Sequence, residues 1–439
     1  MVGHVSEKSM FQRFLHSQVF SSLLLIVATV TALIWANSEW GQTYYDISHT
    51  YVGVRFGDAE FELSLSHWIK DGLMAIFFFV VGLEIKREIV VGELSTLDKA
   101  MLPVCAAVGG AVVPAAIYAF INAGGEGAAG WGIPMATDIA FALGVLSLFG
   151  SRVPIGLKVF LTALAIADDL LAVVVIAVFY TPNLDTIMLL FAGVCLVLIM
   201  VASNRGVRAV WVYVVLAVLV WAFVLASGVH ATIAGVLVAM AIPVRPLIDP
   251  DELIRVSSDL IEKMRSDDNS LDALIHDPER RQVLNKLYLT MEDATPPGIA
   301  LEQALHPVQS FIILPLFALF SAGVVFGPQT LTGFPTAISL GVIIGLVLGK
   351  PVGVLLSSWL IMKLAKVELQ GVTLAQLVGA GCLAGIGFTM SIFISELAFT
   401  NAVLIDQAKV GILLASLAAG ILGAVVLSFT LPKAQDEKG

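Results

Sequence analysis

Two adjacent carboxylates, Asp168 and Asp169, lie midway along an apolar run that extends from Pro154 to Tyr180. A run of this length spans a bilayer when it is helical. A charged Asp at the centre of a bilayer costs about 2.5–3.5 kcal/mol even on the most lenient insertion scale. Two such residues in succession make a lipid-facing helix unfavourable, so their side chains are expected to face protein or a water-filled cavity.

The composition of the whole chain is that of an integral membrane protein. Its 439 residues are 58% hydrophobic and 13% charged, whereas soluble proteins carry about 25% charged residues. The long apolar runs lack the short alternation of an outer-membrane barrel. We predict an all-α polytopic membrane protein with about twelve transmembrane helices. The predicted spans are 16–36, 68–89, 100–121, 130–150, 154–179, 184–202, 209–226, 229–244, 308–326, 338–362, 374–398 and 408–430.

The basic residues are concentrated in alternate loops between the predicted spans. They precede span one and follow every even-numbered span up to span ten. Besides the seven in the long loop after span eight, they are Lys8, Arg13, Lys86, Arg87, Lys99, Arg152, Lys158, Arg205, Arg208, Lys363 and Lys366. The intervening loops hold only Arg55, Lys70 and Lys409. By the positive-inside rule, both termini are predicted to be cytoplasmic.

Two loops of this single transmembrane domain, which covers 1–439, are distinctive. In the extracytoplasmic loop 38–66, apolar residues alternate around Gly53 and Arg55 before Gly57-Asp58, which predicts a short hairpin. An exposed hairpin edge can pair with a second copy, so this loop is a candidate homodimer contact, although a self-contained loop would have the same pattern.

The cytoplasmic loop 245–302 is acidic, with thirteen Asp and Glu against seven Lys and Arg. Its apolar residues recur at helical spacing, which predicts two or three amphipathic helices. The three groups are Leu253, Val256, Leu260 and Met264; Leu271, Leu274 and Ile275; and Val283, Leu284 and Leu287.

Two spans carry helix-breaking residues at membrane depth. Span four has Gly132 and Pro134 shortly before Thr137 and Asp138, and span eleven has the segment 385–387, Gly-Ile-Gly. They are the middle helices of spans 3–5 and spans 10–12, two three-helix units that enter the membrane from opposite sides. Broken crossing helices at matching positions of inverted repeats indicate a transporter's binding site, although Gly also permits close helix packing.

Four charges are predicted at mid-membrane depth: Asp138, Asp168, Asp169 and Lys350. A salt bridge that only joins helices would account for Lys350 and one acid, with the choice between Asp168 and Asp138 left open. At least one acid then remains to bind a cation or stay protonated. Because successive residues of a helix point about 100° apart, one of the two adjacent acids can meet Lys350 while the other faces the cavity. A carboxylate removed from water holds H⁺ or a hard cation such as Na⁺, and this competition suffices for exchange when the site opens to one side of the membrane at a time. Asp138 can balance the positive N-termini of the half-helices, and Lys350 their C-terminal ends.

A second charged cluster is predicted at the cytoplasmic surface. Glu84, Arg87 and Glu88 end span two, and Glu302 and His306 precede span nine. Such a mixed-charge patch can respond to pH; a solvated helix end is an equally simple interpretation.

Three other functions are compatible with parts of this pattern. A Na⁺-coupled symporter of an organic solute uses the same architecture, but the midplane offers no further polar cluster for a solute. An intramembrane aspartyl protease needs two converging Asp, which Asp138 and Asp169 could supply, but the GxGD-type signature is absent. A channel fits buried acids and a lysine least well. No cofactor, nucleic acid or organic substrate is expected, and membrane lipid is the expected surrounding.

Several segments together resemble the bacterial NhaA-type Na⁺/H⁺ antiporter family, from about residue 10 to residue 430. The segments are 81–88 (VGLEIKRE), 136–144 (ATDIAFALG), 167–169 (ADD), 228–232 (GVHAT), 349–351 (GKP) and 385–391 (GIGFTMS).

This resemblance implies a twelve-helix antiporter of the bacterial cytoplasmic membrane, usually dimeric, that expels Na⁺ or Li⁺ with inward proton flow. It implies that Asp168 and Asp169 are the ion-binding pair, with Asp169 the main ligand, that Thr137 and Asp138 belong to the helix crossing, and that Lys350 compensates charge. The implied pH-sensing residues are Glu84, Arg87, Glu88, Glu302 and His306. The chain departs from the family pattern in its longer loop before Glu302 and at Gln303, Val308 and Ser321, which puts the pH profile in doubt but not the ion site.

Overall fold

The computed structural model describes residues 18–56, 59–181, 184–205, 207, 210–245, 248–264, 277–327, 333–365 and 371–432. These residues are nearly all helical, with one two-stranded sheet. The predicted loop charges Lys8, Arg13, Arg208 and Lys366 and the predicted turn Gly57-Asp58 lie outside them.

The first part of the chain carries helices and the sheet in the following order. The elements are α1 Gln18–Ala36, α2 Gly41–Ser48, β1 Tyr51–Phe56, β2 Ala59–Ser64, a helical turn Leu65–His67, a π-helix Trp68–Leu73, α3 Met74–Val90, α4 Leu97–Ile121, a 3₁₀-helix Glu126–Met135, α5 Ile139–Ser147, a 3₁₀-turn Gly150–Arg152, α6 Ile155–Phe179, α7 Thr186–Asn204, α8 Val210–Ala226 and α9 Thr232–Ala241.

In the second part, every regular element of the described residues is a helix. The elements are α10 Pro250–Met264, α11 Pro278–Ala294, α12 Pro297–Val308, a π-helix Gln309–Ile313, α13 Leu314–Ser321, α14 Ala337–Ile344, a π-helix Gly345–Gly349, α15 Lys350–Ala365, α16 Leu374–Ala384, α17 Phe388–Ala398 and α18 Ala402–Thr430.

Within the described ranges, seven helices are long and apolar enough to cross a membrane, and nine if each of two bent pairs forms one span. The chain is therefore a polytopic membrane protein. Two of the other three predicted spans correspond to the shorter helices α8 and α9, and the third is the continuous segment of the π-helix Trp68–Leu73 and α3, which carries several charged residues. At 1.5 Å per residue, the ten residues of α9 cover about 15 Å, half of the hydrocarbon core. The number twelve remains a prediction.

Both interruptions that the glycines and proline predict are present as bends. The 3₁₀-helix Glu126–Met135 meets α5 at 42°, and α16 meets α17 at 45°. Pro134 itself lies inside the 3₁₀-helix, and the break follows it at residues 136–138. The second break is at residues 385–387. Each break exposes backbone groups that need partners inside the protein.

Glycine contacts bring α15 close to α4. A Cβ on Gly353 would lie 2.1 Å from the carbonyl oxygen of Gly109, and a Cβ on Gly109 would lie 2.5 Å from that of Gly353. Only glycine permits helices to approach so closely. The π-helix Gly345–Gly349 directly precedes Lys350, the first residue of α15.

The two loops outside the spans have regular structure. β1 pairs antiparallel with β2, with Tyr51 opposite Ser64. In the acidic loop, α10 and α11 pack chiefly against each other, and Leu260 is buried while Ile254 and Ile261 are exposed. The predicted helix around Leu271, Leu274 and Ile275 lies outside the described residues.

Candidate ion site at the crossing of two broken helices

The two helix breaks meet, and hydrogen bonds join them. The backbone N–H of Asp138 donates to the carbonyl oxygen of Ile386 at 2.6 Å. The hydroxyl of Thr137 donates to the carbonyl oxygen of Ala384 at 2.8 Å. These bonds satisfy carbonyl groups at the end of α16 that have no partner within the helix. The breaks therefore form one structural unit in the buried core.

Asp138 connects the starts of two helices. Its Oδ1 accepts the N–H of Phe141 in α5 at 3.1 Å, and its Oδ2 accepts the N–H of Thr389 in α17 at 3.0 Å. The Thr389 hydroxyl also donates to Oδ2. Negative charge is favoured at helix N-termini, so this buried carboxylate is stabilised by protein groups alone. Thr389 was part of a motif that the sequence singled out, but its role was not predicted.

Lys350 binds the C-terminal end of a helix, whereas Asp138 binds two helix N-termini. Its side chain is fully buried, and its Nζ donates to the carbonyl oxygen of Met135, the last residue of the 3₁₀-helix. The same Nζ lies 2.7 Å from Oδ2 of Asp168. The sequence left open whether Asp138 or Asp168 pairs with Lys350; in the structure the partner is Asp168.

Asp168 and Asp169 each have a buried oxygen without a hydrogen-bond partner among the described residues, Oδ1 in both side chains. Asp168 is 1% exposed and Asp169 is 2% exposed. Thr137 neighbours Asp168, and Asp169 lies within electrostatic range of Asp138 and Glu84. Buried polar atoms are almost always satisfied in native proteins, so two unsatisfied oxygens on adjacent acids mark a place that can take a proton or a cation.

Comparison with known proteins gives the family. The family model described as Na⁺/H⁺ antiporter 1 matches residues 12–427. The chain belongs to this family. It is 47% identical over 423 residues to a Na(+)/H(+) antiporter NhaA of Sulfurimonas denitrificans, with 95% of each chain covered. It is 45% identical over 429 residues to the protein of that name from Oleidesulfovibrio alaskensis, covering 98% of this chain and 95% of the relative. For Wolinella succinogenes, the identity is 44% over 427 residues, covering 97% and 94%.

Membership in the Na⁺/H⁺ antiporter 1 family confirms the resemblance and decides one alternative. The relatives are named as antiporters, so the chain is a transporter and not an enzyme. An intramembrane protease would need Asp138 and Asp169 to bind one water molecule together. The oxygens of Asp138 instead accept N–H groups from two helices.

Ion pairs directly join Arg87, Glu88 and Glu302, three of the residues predicted at the cytoplasmic cluster. The Arg87 side chain lies 3.1 Å from Oε1 of Glu88 and 3.0 Å from Oε2 of Glu302. Glu84 lies one turn before Glu88 on α3, and His306 one turn after Glu302 on α12. The cluster therefore links α3 to α12.

A further buried charge cluster was missed by the sequence analysis. Glu396 is at the end of α17, and its Oε1 lies 3.0 Å from Lys70 and 2.9 Å from Lys409. Lys409, which we expected in a loop, lies inside α18 and is 7% exposed. Glu396 is a charged residue within the apolar run 374–398. Its position in a predicted span could have marked it as a candidate buried charge.

Replacing Thr389 tests the bond that fastens α17 to Asp138. Thr389→Val keeps the side-chain shape but removes a donor to a buried carboxylate. We expect a loss of about 1.5–3 kcal/mol in the free energy of unfolding, the usual worth of a hydrogen bond to a charged group. Chemical unfolding of purified protein in detergent measures it.

The matched control is Thr31→Val, at an exposed threonine that donates only to Val27 within α1. This change should stay within about 0.5 kcal/mol of the parent protein. Equal losses in the two variants would contradict the assigned bond.

Proposed function

We propose that this protein exchanges cytoplasmic Na⁺ or Li⁺ for external H⁺, and that it serves sodium and pH homeostasis. Family membership supports Na⁺ and H⁺ as the exchanged ions, since the relatives are named Na(+)/H(+) antiporters. The observation that carries the proposal is the pair of buried, unsatisfied oxygens on Asp168 and Asp169 at the crossing of the broken helices. No cofactor takes part; Na⁺, Li⁺ and H⁺ are the transported ions.

Asp169 is the proposed exchange group. Among the described residues it has no positively charged hydrogen-bond or salt-bridge partner, unlike Asp168, which has Lys350. A bare charge at this depth costs about 3 kcal/mol, so Asp169 is stable when it carries a proton or faces a cation. One carboxylate cannot hold both, and each ion therefore displaces the other.

Asp168 and Thr137 are the proposed supporting ligands. Asp168 offers Oδ1 while its Oδ2 stays with Lys350, and Thr137 offers its hydroxyl oxygen beside it. Hydroxyl and unwound-backbone oxygens complete Na⁺ sites in transporters with broken helices. Asp138 takes a charge-compensating role, because its oxygens already accept N–H and O–H groups.

The exchange is proposed to be electrogenic, with about two protons for each sodium ion, a ratio that the family resemblance suggests. Each net charge moved then couples to about 2.3 kcal/mol per 100 mV of membrane potential. An inside-negative potential would thus drive proton entry and sodium exit.

We propose twelve spans with inverted repeats in spans 3–5 and 10–12, in the bacterial cytoplasmic membrane with both termini inside. The basic loops support the orientation. The bends at residues 136–138 and 385–387, one in the middle of each three-helix unit, support the repeat. The acidic loop 245–302 is then an insertion on the cytoplasmic side.

The cluster of Glu84, Arg87, Glu88, Glu302 and His306 is proposed to regulate exchange by pH. Arg87 joins acids of α3 and α12, and Glu84 lies within electrostatic range of both this cluster and Asp169. Protonation at the cluster therefore alters charge that Asp169 experiences. This gives a physical route from cytoplasmic pH to the ion site.

A homodimer is proposed through the hairpin of loop 38–66. β1 and β2 form a sheet of only two strands, and Tyr51 and Val52 are exposed. A second copy can extend this sheet by pairing with a free strand edge.

Proton flux in sealed vesicles tests the proposed function. Vesicles that contain the purified protein and a pH-sensitive dye should show proton movement when Na⁺ or Li⁺ is added, and a smaller response to K⁺. The measurement is repeated across a pH series and with the membrane potential clamped. Sodium-driven uptake of an organic solute without proton movement would instead establish the symporter alternative.

A further inference from the structure

We propose that Lys70 and Glu396 form a gate that closes one end of the ion path, and that this pair separates in every transport cycle. The inference rests on the proposed function. Lys70 and Arg87 are seventeen residues apart on a continuous helical segment, about 25 Å at 1.5 Å per residue. The gate therefore lies at the end of the bundle opposite the Arg87 cluster, which is the external end in the proposed orientation.

Helix α17 connects the ion site with this end. Thr389, Phe393 and Glu396 follow at spacings of four and three residues, so they line one face of the helix. Thr389 contacts Asp138. One turn on, Phe393 packs against Phe78 of α3 and Phe317 of α13, with ring centroids 5.7 and 6.2 Å apart. All three rings are buried. An ion on this route meets an aromatic layer and then Glu396.

The ion pair joins two parts of the bundle whose main packing partners differ. Lys70 belongs to the segment that continues into α3, which packs mainly on α9 and α12, whereas Glu396 belongs to α17, which packs mainly on α18 and on the 3₁₀-helix Glu126–Met135. The bond between Lys70 and Glu396 thus holds α17 against the α3 side. Ions can pass between these parts only after the bond is broken.

Lys409 makes this separation feasible. An acid left buried without a partner is strongly unfavourable, but Oε1 of Glu396 also lies 2.9 Å from Lys409 of the neighbouring helix α18. When Lys70 leaves, Glu396 keeps Lys409. The side chain of Lys70 is 30% exposed, so its ammonium can move into water. Glu396 can therefore lose its ion pair with Lys70 while it keeps its ion pair with Lys409.

A cross-link tests whether the pair must separate. Cys105, Cys195 and Cys382 are free cysteines and are replaced first by alanine. Lys70→Cys and Glu396→Cys are then combined and joined by a short bifunctional methanethiosulfonate. We expect sodium-dependent proton flux in vesicles to fall at least about tenfold on linking and to return on reduction, because a required opening is blocked.

The matched control links two helices that should move together. Gln376 of α16 donates to the carbonyl oxygen of Thr430 of α18 at 3.3 Å. Gln376→Cys with Thr430→Cys, linked in the same way, should keep the flux within about twofold, since no opening is blocked. Unchanged flux in the linked Lys70→Cys, Glu396→Cys protein would overturn the gate. Absence of flux in the cysteine-free parent would overturn the proposed function itself, and the gate with it.

Thiol accessibility gives a second measurement that does not need the cross-linked pair. Phe393→Cys places one thiol behind the ion pair in the cysteine-free protein. Adding Lys70→Met should increase its labelling rate by a charged, impermeant reagent about tenfold, because the closed state loses its bond to α3. The control adds Lys363→Met, which removes a lysine stacked on Trp359 of α15. Equal rates in the two variants would overturn the proposal.

Discussion

Asp169→Asn is expected to abolish sodium-dependent proton release at every pH while the protein still reaches the membrane and stays folded. An amide carries no charge to attract Na⁺ and no proton to exchange. Because Asp169 lacks a salt-bridge partner among the described residues and is 2% exposed, the neutral amide removes a desolvation cost and breaks no ion pair. The melting temperature should therefore equal or exceed that of the parent protein.

The control is Asp259→Asn, at an exposed acid of α10 that pairs with Lys263. This variant should exchange ions as the parent does. The parent protein should also show weaker apparent Na⁺ binding as the pH falls, because protons compete for the same carboxylate. Retained proton release by Asp169→Asn would remove this residue from the proposed mechanism.

Lys350→Ala is expected to have the largest effect on stability. It leaves the carboxylate of Asp168 without the one salt-bridge partner it has among the described residues, and the carbonyl oxygen of Met135 without its lysine donor. Breaking one side of a buried ion pair costs about 3–5 kcal/mol. We expect a free energy of unfolding lower by that amount, together with reduced exchange.

Unfolding in detergent as a function of denaturant measures this loss, and Lys363→Ala is the comparison. Lys363 lies near the end of α15 over the ring of Trp359, so its removal should cost about 1 kcal/mol or less. A Lys350→Ala protein that unfolds and transports like the parent would refute the role of Lys350 as the partner of Asp168.

The sequence could locate the candidate site because its residue types are costly in a membrane. Asp168, Asp169 and Lys350 stand out from apolar runs by their charge alone, and the segment 385–387 stands out by its two glycines. These signals are local, so they survive without knowledge of the tertiary structure. The sequence could not decide which acid faces Lys350, because helix periodicity gives relative directions on one helix but not the rotation of that helix against its neighbours.

Other features depended on packing between distant segments. Glu396 is near the end of a predicted span, where a charge can reach the membrane surface, and it is buried only because Lys70 and Lys409 approach it from two other helices. The shortness of α9 was likewise hidden, since the apolar run 229–244 continues on both sides of the ten helical residues. The domain division and the roles of the cytoplasmic cluster remain predictions.

The carboxylate of Asp138 has a mechanical consequence. Since it accepts N–H groups from the first turns of both α5 and α17, the two half-helices are joined through this carboxylate, and a tilt of either one would strain its bond to the other. We then expect α5 and α17 to move together as one rigid body. A displacement of α17 at Glu396 would therefore also displace the residues beside Asp169. The rigid-body motion of the two half-helices would then move the bound sodium ion or proton from one side of the membrane to the other, while the geometry of the crossing stays the same.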